Sequence, residues 1–330
     1  MKQFMALVIS QQEDGTFTNN VSEKLINELP KNDLLVKVKY SSLNYKDALS
    51  ASGGKGVTKN YPHTPGIDAV GTIEKSSSDP SLIGKKVIVT GFDLGMNTSG
   101  GFAEYISVPS RWAIPCPNSL TMKETMMLGT AGLTAGLCVA EIEKHSKLNN
   151  LEVIVSGATG GVGSLAIKLL SHLGAKVTAI TGKKDKNKYL YDLGCSEIIS
   201  RKKFISSTRL PLNKGSYDAA IDVAGGDILS CIVACVRHNG IITACGNVSS
   251  PRFETTVFPF ILRGIRLVGI DSATCSIKLR EKIWNNFSKK WKLKNLESLC
   301  RTTDLNNLSN EIDKILKGKQ TGRFIVKPQY

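Results

Sequence analysis

From residue 151 onward, apolar runs of strand length alternate with stretches that have helical periodicity. The strand candidates are residues 152–156, 176–180, 196–200, 218–223, 240–245 and 266–271. The helical stretches between them include residues 161–173, 184–193 and 226–237. Because parallel strands need crossover helices, this alternation predicts an α/β fold built on a doubly wound parallel sheet.

The first 120 residues show a different pattern, in which short alternating runs are separated by Gly, Pro, Asn and Asp, as in a small β-rich barrel or sandwich. The runs are LLVKVKYSSL (34–43), GIDAVGTIEK (66–75), KKVIVTG (85–91) and FAEYISVP (102–109). A helix is predicted over 119–145, with Ser119 or Thr121 as its cap. A second is predicted over 277–292, followed by a last strand in GRFIVKP (322–328).

We expect this last strand to rejoin the β-rich domain, so that the parallel-sheet domain is an insertion within it. The predicted domain boundaries are 1–124 for the first part of the β-rich domain, 125–271 for the inserted domain and 272–330 for the returning part. A chain of 330 residues is long enough for two hydrophobic cores.

Composition restricts the partners and the compartment. The net charge is +15 and the pI about 9.4, which suits an anionic partner, but the lysines are spread along the chain, as on a solvated surface. The sequence shows neither an RNA-recognition motif nor a cleavage site, and we expect no membrane span. The eight cysteines form no C-x-x-C pair, so we expect reduced thiols and a cytoplasmic location.

The stretch Gly157-Ala158-Thr159-Gly160-Gly161-Val162-Gly163 has the dinucleotide fingerprint G-x-G-x-x-G, with Ala158, Gly160 and Gly163 at the three key positions. Such a turn is tight, admits a pyrophosphate close to the backbone, and lets helix and strand pack closely. A helix starting near Gly161 would direct its free amides at the phosphates. Because the motif follows a strand and opens a helix, it predicts dinucleotide binding.

The end of the second strand distinguishes the two dinucleotides. An NAD site favours an acidic residue there, whereas this strand ends in Thr181-Gly182-Lys183-Lys184, and no carboxylate precedes Asp185. A hydroxyl and cations suit a 2′-phosphate, so the predicted cofactor is NADPH. The alternative is that both lysines only start the next helix in solvent.

Further motifs show a family resemblance that spans residues 41 to 328. They are Ser42-Leu43-Asn44-Tyr45-Lys46-Asp47, Pro65-Gly66-Ile67-Asp68, Gly129-Thr130-Ala131-Gly132, the glycine-rich turn, PFILR (259–263), GIDS (269–272) and GRFIVKP. Together they resemble the zinc-free quinone oxidoreductase branch of the medium-chain dehydrogenase/reductase superfamily, and within it most the acryloyl-CoA reductase group. The resemblance implies a Rossmann domain inserted in a β-rich, GroES-like catalytic domain.

We expect no metal site. Zinc-dependent relatives have Gly-His-Glu where this chain has Gly66-Ile67-Asp68, and Ile67 cannot be a ligand. No cysteine precedes Cys116, and a catalytic zinc needs three protein ligands. A hydride acceptor would then already be electrophilic, such as an alkene conjugated to a carbonyl, or a quinone.

The resemblance also assigns roles to single residues. Tyr45 is expected beside the nicotinamide, either as proton donor or as a packing contact. Asp47 would orient Tyr45 or Lys46, or cap the next helix, and Asn44 would fix the loop or bind substrate. Phe260, from PFILR, is also assigned to the substrate. Expected on the cofactor side are Thr130, Thr134, Ala158, Thr159, Gly160, Gly161, Val162, Gly163, Thr181, Gly182, Lys183, Arg201, Cys245, Gly246, Asn247, Ile270 and Arg323. The alternatives are that Thr130 and Thr134 are cap or core groups of their helix and that Arg201 lies in solvent.

The predicted function is that of a metal-free NADPH-dependent reductase. It would deliver hydride to the β-carbon of an activated alkene, most simply acryloyl-CoA or a similar small enoyl-CoA. An NADPH:quinone or enone oxidoreductase is the first alternative, and a non-catalytic NADPH-binding or RNA-binding protein is the second. The strand IRLVGID (265–271) is expected at a sheet edge, where it would pair with its copy in a homodimer.

Overall fold

The computed structural model describes residues 2–54, 56–208 and 210–328. Its contacts divide the chain into two units, the first being Met1–Thr130, Ala273–Lys290 and Lys294–Tyr330, and the second Ala131–Ser272 and Trp291–Leu293. The second unit is thus inserted in the first, as the sequence predicts. The sequence places the boundaries at 124/125 and 271/272.

Strands and helices are numbered separately in chain order. The strands are β1 (Gln3–Gln11), β2 (Phe17–Leu25), β3 (Leu34–Leu43), β4 (Asp68–Ser76), β5 (Lys86–Thr90), β6 (Tyr105–Val108), β7 (Ala113–Pro115), β8 (Glu152–Val155), β9 (Lys176–Thr181), β10 (Glu197–Ser200), β11 (Tyr217–Asp222), β12 (Val236–Ala244), β13 (Arg266–Gly269), β14 (Cys300–Asp304) and β15 (Arg323–Lys327). The helices are α1 (Tyr45–Ala51), α2 (Met122–Glu143), α3 (Gly161–His172), α4 (Asn187–Asp192), α5 (Arg201–Ser207), α6 (Gly226–Cys235), α7 (Phe258–Arg263), α8 (Ile277–Ser288) and α9 (Leu308–Leu316).

The second unit is built on a six-stranded parallel sheet in the order β10-β9-β8-β11-β12-β13. The inner strands are almost wholly buried, because crossover helices cover the faces of a parallel sheet. From β8 the chain first moves outward to β10, then returns to place β11 on the other side of β8. The switch point between β8 and β11 is where ligands bind in such sheets.

The first unit contains a β1–β2 hairpin and a seven-stranded sheet in the order β14-β15-β3-β4-β5-β7, with β6 also paired to β3. In the antiparallel pairing of β15 with β3, Phe324 lies opposite Leu43 and Ile325 opposite Ser42. The C-terminal strand therefore returns to this unit, which confirms that prediction and brings Arg323 to the end of β3.

The sequence pattern did not indicate β1, β2, β7, β14, α5, α7 or α9. The buried residues of β1 do not alternate regularly, and α5 and α7, with seven and six residues, are too short for helical periodicity to show. Of the two proposed caps of α2, Thr121 forms the cap, accepting from the Glu124 amide at 3.1 Å.

Helix α2 departs from expectation in two ways. It is interrupted at Gly129, whose φ of 52° and ψ of −153° are not helical. It is also long and apolar enough to cross a membrane by length and composition, although the sequence analysis expected no such run, and 83% of its most apolar window is buried inside the protein. The protein interior accounts for this apolar surface.

Candidate functional site

The turn between β8 and α3 has the geometry that the glycine fingerprint predicts. Gly157 has a φ of 57°, which glycine adopts without strain, and its carbonyl accepts from the Gly160 amide at 2.9 Å. A Cβ on Gly163 would lie 2.4 Å from the same carbonyl. Ala158 replaces the first fingerprint glycine at a buried position, and the positive φ falls one residue earlier.

The start of α3 fits a pyrophosphate. Its N-cap is Gly160, and among the described residues no side chain caps this end of the helix. The amides at the first helical positions, Gly161 to Gly163, thus point outward beside the positive end of the helix dipole, which is an anion-binding arrangement. A dinucleotide diphosphate has the charge and the acceptor oxygens to fill it.

The loop after β9 gathers cationic and hydroxyl groups. The Lys183 amide donates to the Thr181 hydroxyl at 3.0 Å, and a Cβ on Gly182 would lie 3.1 Å from Arg201 Nη2. Arg201, at the start of α5, therefore lies over the loop beside Lys183. Burial lowers the pKa of Lys183 from its ordinary 10.5, and a partly desolvated ammonium gains more from an anion than a solvated one.

A buried carboxylate at the switch point joins the ends of β8 and β11. Asp222 accepts from the Ser156 hydroxyl at 2.6 Å and from the Gly225 amide at 2.8 Å. Burial raises the pKa of Asp222 above its ordinary value. The sequence analysis did not single out this pair, although an aspartate at the carboxyl end of the predicted strand 218–223 is a usable signal.

The predicted residues on β12 and β13 lie at the same carboxyl edge of the sheet. Cys245 N–H donates to the Asp222 carbonyl, and Ile270 N–H to the Ala244 carbonyl, each at 2.9 Å. Gly246 packs so closely on Val223 that a Cβ would lie 2.4 Å from the carbonyl oxygen. The buried Cys138 beside it and burial itself raise the pKa of the Cys245 thiol well above 9.0, so this thiol is held neutral.

Two further residues that were predicted for the site, Thr134 and Phe260, contact protein groups of the second unit. The Thr134 hydroxyl donates to the Ser272 hydroxyl at 2.7 Å. Phe260, in α7, packs against the apolar cluster between α6 and the sheet. Contact of Thr134 with the cofactor and of Phe260 with the substrate stay predictions, and Ser272 is a residue that the sequence analysis did not name.

In the first unit, the Asp47 side chain caps the N-terminus of α1, the helix to which it belongs. Its two carboxylate oxygens accept from the Asn44 amide at 2.7 Å and the Ile67 amide at 2.8 Å. Complete burial, and then the nearby Asp68 carboxylate, raise the pKa of Asp47 to about 7. Of the roles that the sequence allowed for Asp47, the structure supports the cap.

Tyr45 is the first residue of α1 and is partly exposed. Within the described part of the chain, no hydrogen bond from the Tyr45 hydroxyl to another residue is formed. Its neighbour Asn44 is the N-cap of the helix, and the Asn44 side chain is occupied by Asp68 and Arg323. The Tyr45 hydroxyl, unlike the side chains of Asn44 and Asp47, is therefore free to meet a ligand.

Thr130 and Arg323 are both bonded to protein groups of the first unit. The Thr130 hydroxyl donates to Asp68 at 2.5 Å, and Arg323 is 2% exposed. The Arg323 guanidinium donates to groups of the first unit, including the hydroxyl of Ser42 and the carbonyl of Leu43. Both residues hold the catalytic unit together, and their contact with a cofactor stays a prediction.

Across residues 2–54, 56–208 and 210–328, no group of three or more His, Cys, Asp or Glu side chains could hold a metal ion. Ile67 is buried next to Asp68. All eight cysteines are free thiols.

Comparison with known proteins identifies the chain. The family described as alcohol dehydrogenase GroES-like domain matches residues 30–118, and the family described as zinc-binding dehydrogenase matches residues 161–289. The Ruegeria pomeroyi protein named acrylyl-CoA reductase AcuI is 35% identical over 98% of both chains. The chain belongs to the quinone oxidoreductase branch of the medium-chain dehydrogenases/reductases.

Other members of this superfamily share its whole fold. A Bacillus subtilis protein named as a quinone oxidoreductase, YhfP, is 39% identical over 91% of this chain and 92% of its own, and its structure with NAD bound matches with a TM-score of 0.95 at 99% coverage of this chain. The yhdH oxidoreductase of Salmonella enterica, solved in complex with NADP, is 36% identical, with a TM-score of 0.94 over 99% of this chain and 100% of its own. These matches confirm the predicted architecture, a GroES-like domain with an inserted Rossmann domain.

Proposed function

We propose that this chain, an NADPH-dependent oxidoreductase, reduces the carbon–carbon double bond of a small enoyl-CoA, with acryloyl-CoA as the first substrate to test. The observation that carries the proposal is the similarity to the Ruegeria pomeroyi acrylyl-CoA reductase along 98% of both chains. That similarity includes the catalytic unit as well as the nucleotide unit.

The cofactor choice agrees with the loop after β9. Lys183 and Arg201 lie beside Gly182, where a 2′-phosphate would meet two cations and the Thr181 hydroxyl. The first acidic residue after the strand is Asp185, which follows Lys183 and Lys184, whereas NAD sites favour an acidic residue at the strand end itself. The Bacillus subtilis relative, solved with NAD, shows that the superfamily also accepts the other dinucleotide, so the cofactor preference is part of the test.

When bound, the reduced nicotinamide supplies a hydride to the β-carbon of the alkene. The residues of this chain would perform the remaining tasks. The amides at the start of α3 hold the diphosphate, and the glycine turn lets it approach the backbone. The Tyr45 hydroxyl would deliver a proton to the α-carbon, so that a C–H bond forms at each former alkene carbon and the thioester is left intact.

Asp47 is placed differently from Tyr45. It is completely buried, and both carboxylate oxygens are taken by backbone amides. It would therefore hold α1 in place instead of exchanging protons with a substrate, and we propose Tyr45 alone as the residue of this motif that meets the acceptor.

A quinone is the second candidate acceptor, because the Bacillus subtilis relative is named as a quinone oxidoreductase at 39% identity. Oxidation of NADPH by the purified protein, followed with acryloyl-CoA, crotonyl-CoA, an enone and benzoquinone, separates the two. We expect kcat/KM to be highest for acryloyl-CoA. Efficient reduction of the quinone, with acyl-CoA no faster than background, would replace the enoyl-CoA proposal by the quinone one.

A further inference from the structure

Asp68, the first residue of β4, is a completely buried carboxylate that collects donors from three parts of the first unit. It accepts from the Ser42 hydroxyl at 2.5 Å, from the Asn44 side-chain amide at 2.8 Å, and from the Thr130 amide at 2.9 Å. The Thr130 hydroxyl adds a fourth donor. Both oxygens of Asp68 are thus bonded to donors of the protein.

Arg323 is the cation of the same cluster. Its Nη2 atom lies 3.7 Å from Asp68 Oδ2 and donates to the Ser42 hydroxyl at 2.7 Å. Its Nη1 atom donates to Asn44 Oδ1 at 2.9 Å. The Asn44 side chain is consequently held at both ends, its nitrogen on the anion and its oxygen on the cation.

The break in α2 is part of this arrangement. The positive φ at Gly129 interrupts the helix, and the Thr130 amide turns to Asp68 while the Met127 carbonyl accepts from Arg323 Nε at 3.3 Å. A Cβ on Gly129 would lie 2.5 Å from Asp68 and 2.7 Å from the Arg323 guanidinium. The Asp68 and Arg323 side chains therefore pack directly against position 129, and no side chain larger than that of glycine fits there.

The cluster acts on α1 through one residue. Asn44 is the N-cap of this helix and is also joined to it through the capping box with Asp47. The orientation of Asn44 determines where α1 starts, and Tyr45 is its first residue. We infer that Asp68, together with Arg323, is a positioning residue for the reaction, which fixes Asn44 and thereby the direction of the Tyr45 side chain.

Burial makes a purely stabilising role a poor explanation. Removing two charges from water costs several kcal/mol per ion, and well-packed apolar residues often replace a buried ion pair without loss. A directional arrangement, in contrast, needs polar groups of defined geometry, because a shift of roughly 1 Å in a reacting group lowers rates about 100-fold. This inference rests on the proposed function, since it assumes that Tyr45 meets the acceptor.

The first test compares Asp68→Asn and Arg323→Lys with the wild type. Each keeps most of the side-chain volume and removes the charge of the anion or the fork of the cation. We expect kcat to fall about 100-fold, while KM for the acceptor and the Kd for NADPH change less than about threefold, because both side chains are buried and bonded to protein groups. Asp33→Asn, at a partly buried site in the same unit where the carboxylate accepts from the Ser110 amide, is the control and should keep wild-type turnover.

A double-mutant cycle tests the route through Tyr45. If Asp68 acts by orienting Tyr45, then Asp68→Asn should cost little more in a Tyr45→Phe background, where the hydroxyl is already absent. Multiplicative losses would overturn the inference. So would failure of both Asp68→Asn and Arg323→Lys to fold, judged by circular dichroism and thermal melting, because the cluster would then serve folding.

A readout without substrate separates this inference from the proposed function. Fluorine NMR of the chain labelled with fluorotyrosine gives one resonance for each of the 8 tyrosines, and Tyr45→Phe identifies the one that belongs to Tyr45. We expect Asp68→Asn to shift or broaden that resonance and leave the other seven in place. An unchanged Tyr45 resonance overturns the inference even if acryloyl-CoA is reduced, and a shifted one supports it whichever acceptor is found.

Discussion

Tyr45 lies at the first turn of α1 with its hydroxyl outside the hydrogen-bonded cluster that holds its neighbours. Asn44 and Asp47 are both occupied by protein groups, whereas the phenol can form a hydrogen bond when a ligand arrives. At the residue scale, Asn44 and Asp47 are held in place by protein groups, whereas the Tyr45 hydroxyl is available to a ligand.

Tyr45→Phe should lower kcat by about 100-fold or more, since general acid catalysis contributes factors of this size. The Kd for NADPH should stay within about twofold of the wild type, because the ring is retained. Steady-state kinetics and fluorescence titration measure the two effects. The matched control is Tyr191→Phe, at an exposed site in α4; full activity in Tyr45→Phe would leave the residue as a packing contact.

Lys183→Ala should weaken NADPH about 10- to 100-fold, since a hydrogen bond to a charged group contributes roughly 1.5–3 kcal/mol. Binding of NADH, which has no 2′-phosphate, should hardly change. Calorimetric titration with both dinucleotides measures the difference. Lys188→Ala, which removes only a surface pair with Asp192, should alter neither, and equal losses for both dinucleotides in Lys183→Ala would contradict the phosphate assignment.

Asp47 should make stability depend on pH. Burial and the Asp68 carboxylate raise its pKa from 3.8 to about 7, while the hydrogen bonds from Asn44 and Ile67 oppose this shift. Between these values the folded chain keeps a proton that the unfolded chain has lost, so the free energy of unfolding falls as pH rises through the window. In Asp47→Asn this contribution is absent. Urea unfolding at about pH 4.5 and about pH 8 should therefore show a smaller fall for the variant, and equal falls would contradict the assignment.

Local patterns predicted some site residues and could not predict others. The glycine turn is contiguous, so its spacing and its position after a strand were enough to find it. Asp68 and Arg323 carry no such signal, because the partners of Arg323 lie 279 to 281 residues away in Asn44 and Ser42. The resemblance directed Arg323 toward the cofactor, and only the fold shows that its donors face the protein.

At the element scale, α2 shows how tertiary contacts override helix propensity. Its sequence predicts one continuous helix, but Gly129 breaks it where the two buried charges need a free amide and a free carbonyl. Strand β3, in contrast, has the predicted bounds of 34–43, because its alternation and flanking polar residues are local. The type of each of these two elements could thus be predicted from the local sequence. The break at Gly129 could not, because it depends on residues of β3, β4 and β15.

Gly129→Ala should destabilise the protein by roughly 2–4 kcal/mol, the sum of left-handed strain and overpacking. Gly318→Ala is the matched control, since Gly318 has a φ of 64° and open space around its Cβ position. It should cost only about 1–2 kcal/mol. Chemical denaturation compares the two variants, and equal losses would mean that the contact with Asp68 and Arg323 adds nothing to the strain.

At the scale of the whole molecule, the parallel sheet of the second unit has β10 and β13 as its outer strands. Strand β13 thus lies at a sheet edge, as predicted. Large apolar side chains on and before α7 are exposed, among them Val257 at 65%, Ile261 at 69% and Leu262 at 56%. Exposed apolar side chains near a strand whose outer edge is unpaired are the usual sign of an association surface.

We therefore expect a homodimer in which β13 pairs with its copy across a twofold axis. Light scattering at micromolar concentration should give twice the mass of the 35.7 kDa chain. Ile261→Glu should shift the protein to the monomer, whereas Ile83→Glu, at a 50% exposed site in the first unit, should not. A monomeric wild type would refute the prediction.

The position of β15 in the sequence has a consequence for synthesis. Strands β8 to β13 have all left the ribosome by about the time residue 300 is made, given the tens of residues held in the exit tunnel, and domains fold as they emerge. Asp47 and Asp68 are made early, but the cation that accompanies them arrives only with Arg323. Until then both carboxylates are better hydrated than buried. The second unit can thus fold on the nascent chain. The first unit, whose N-terminal strands are made earliest, can complete its fold only after β15 has been made.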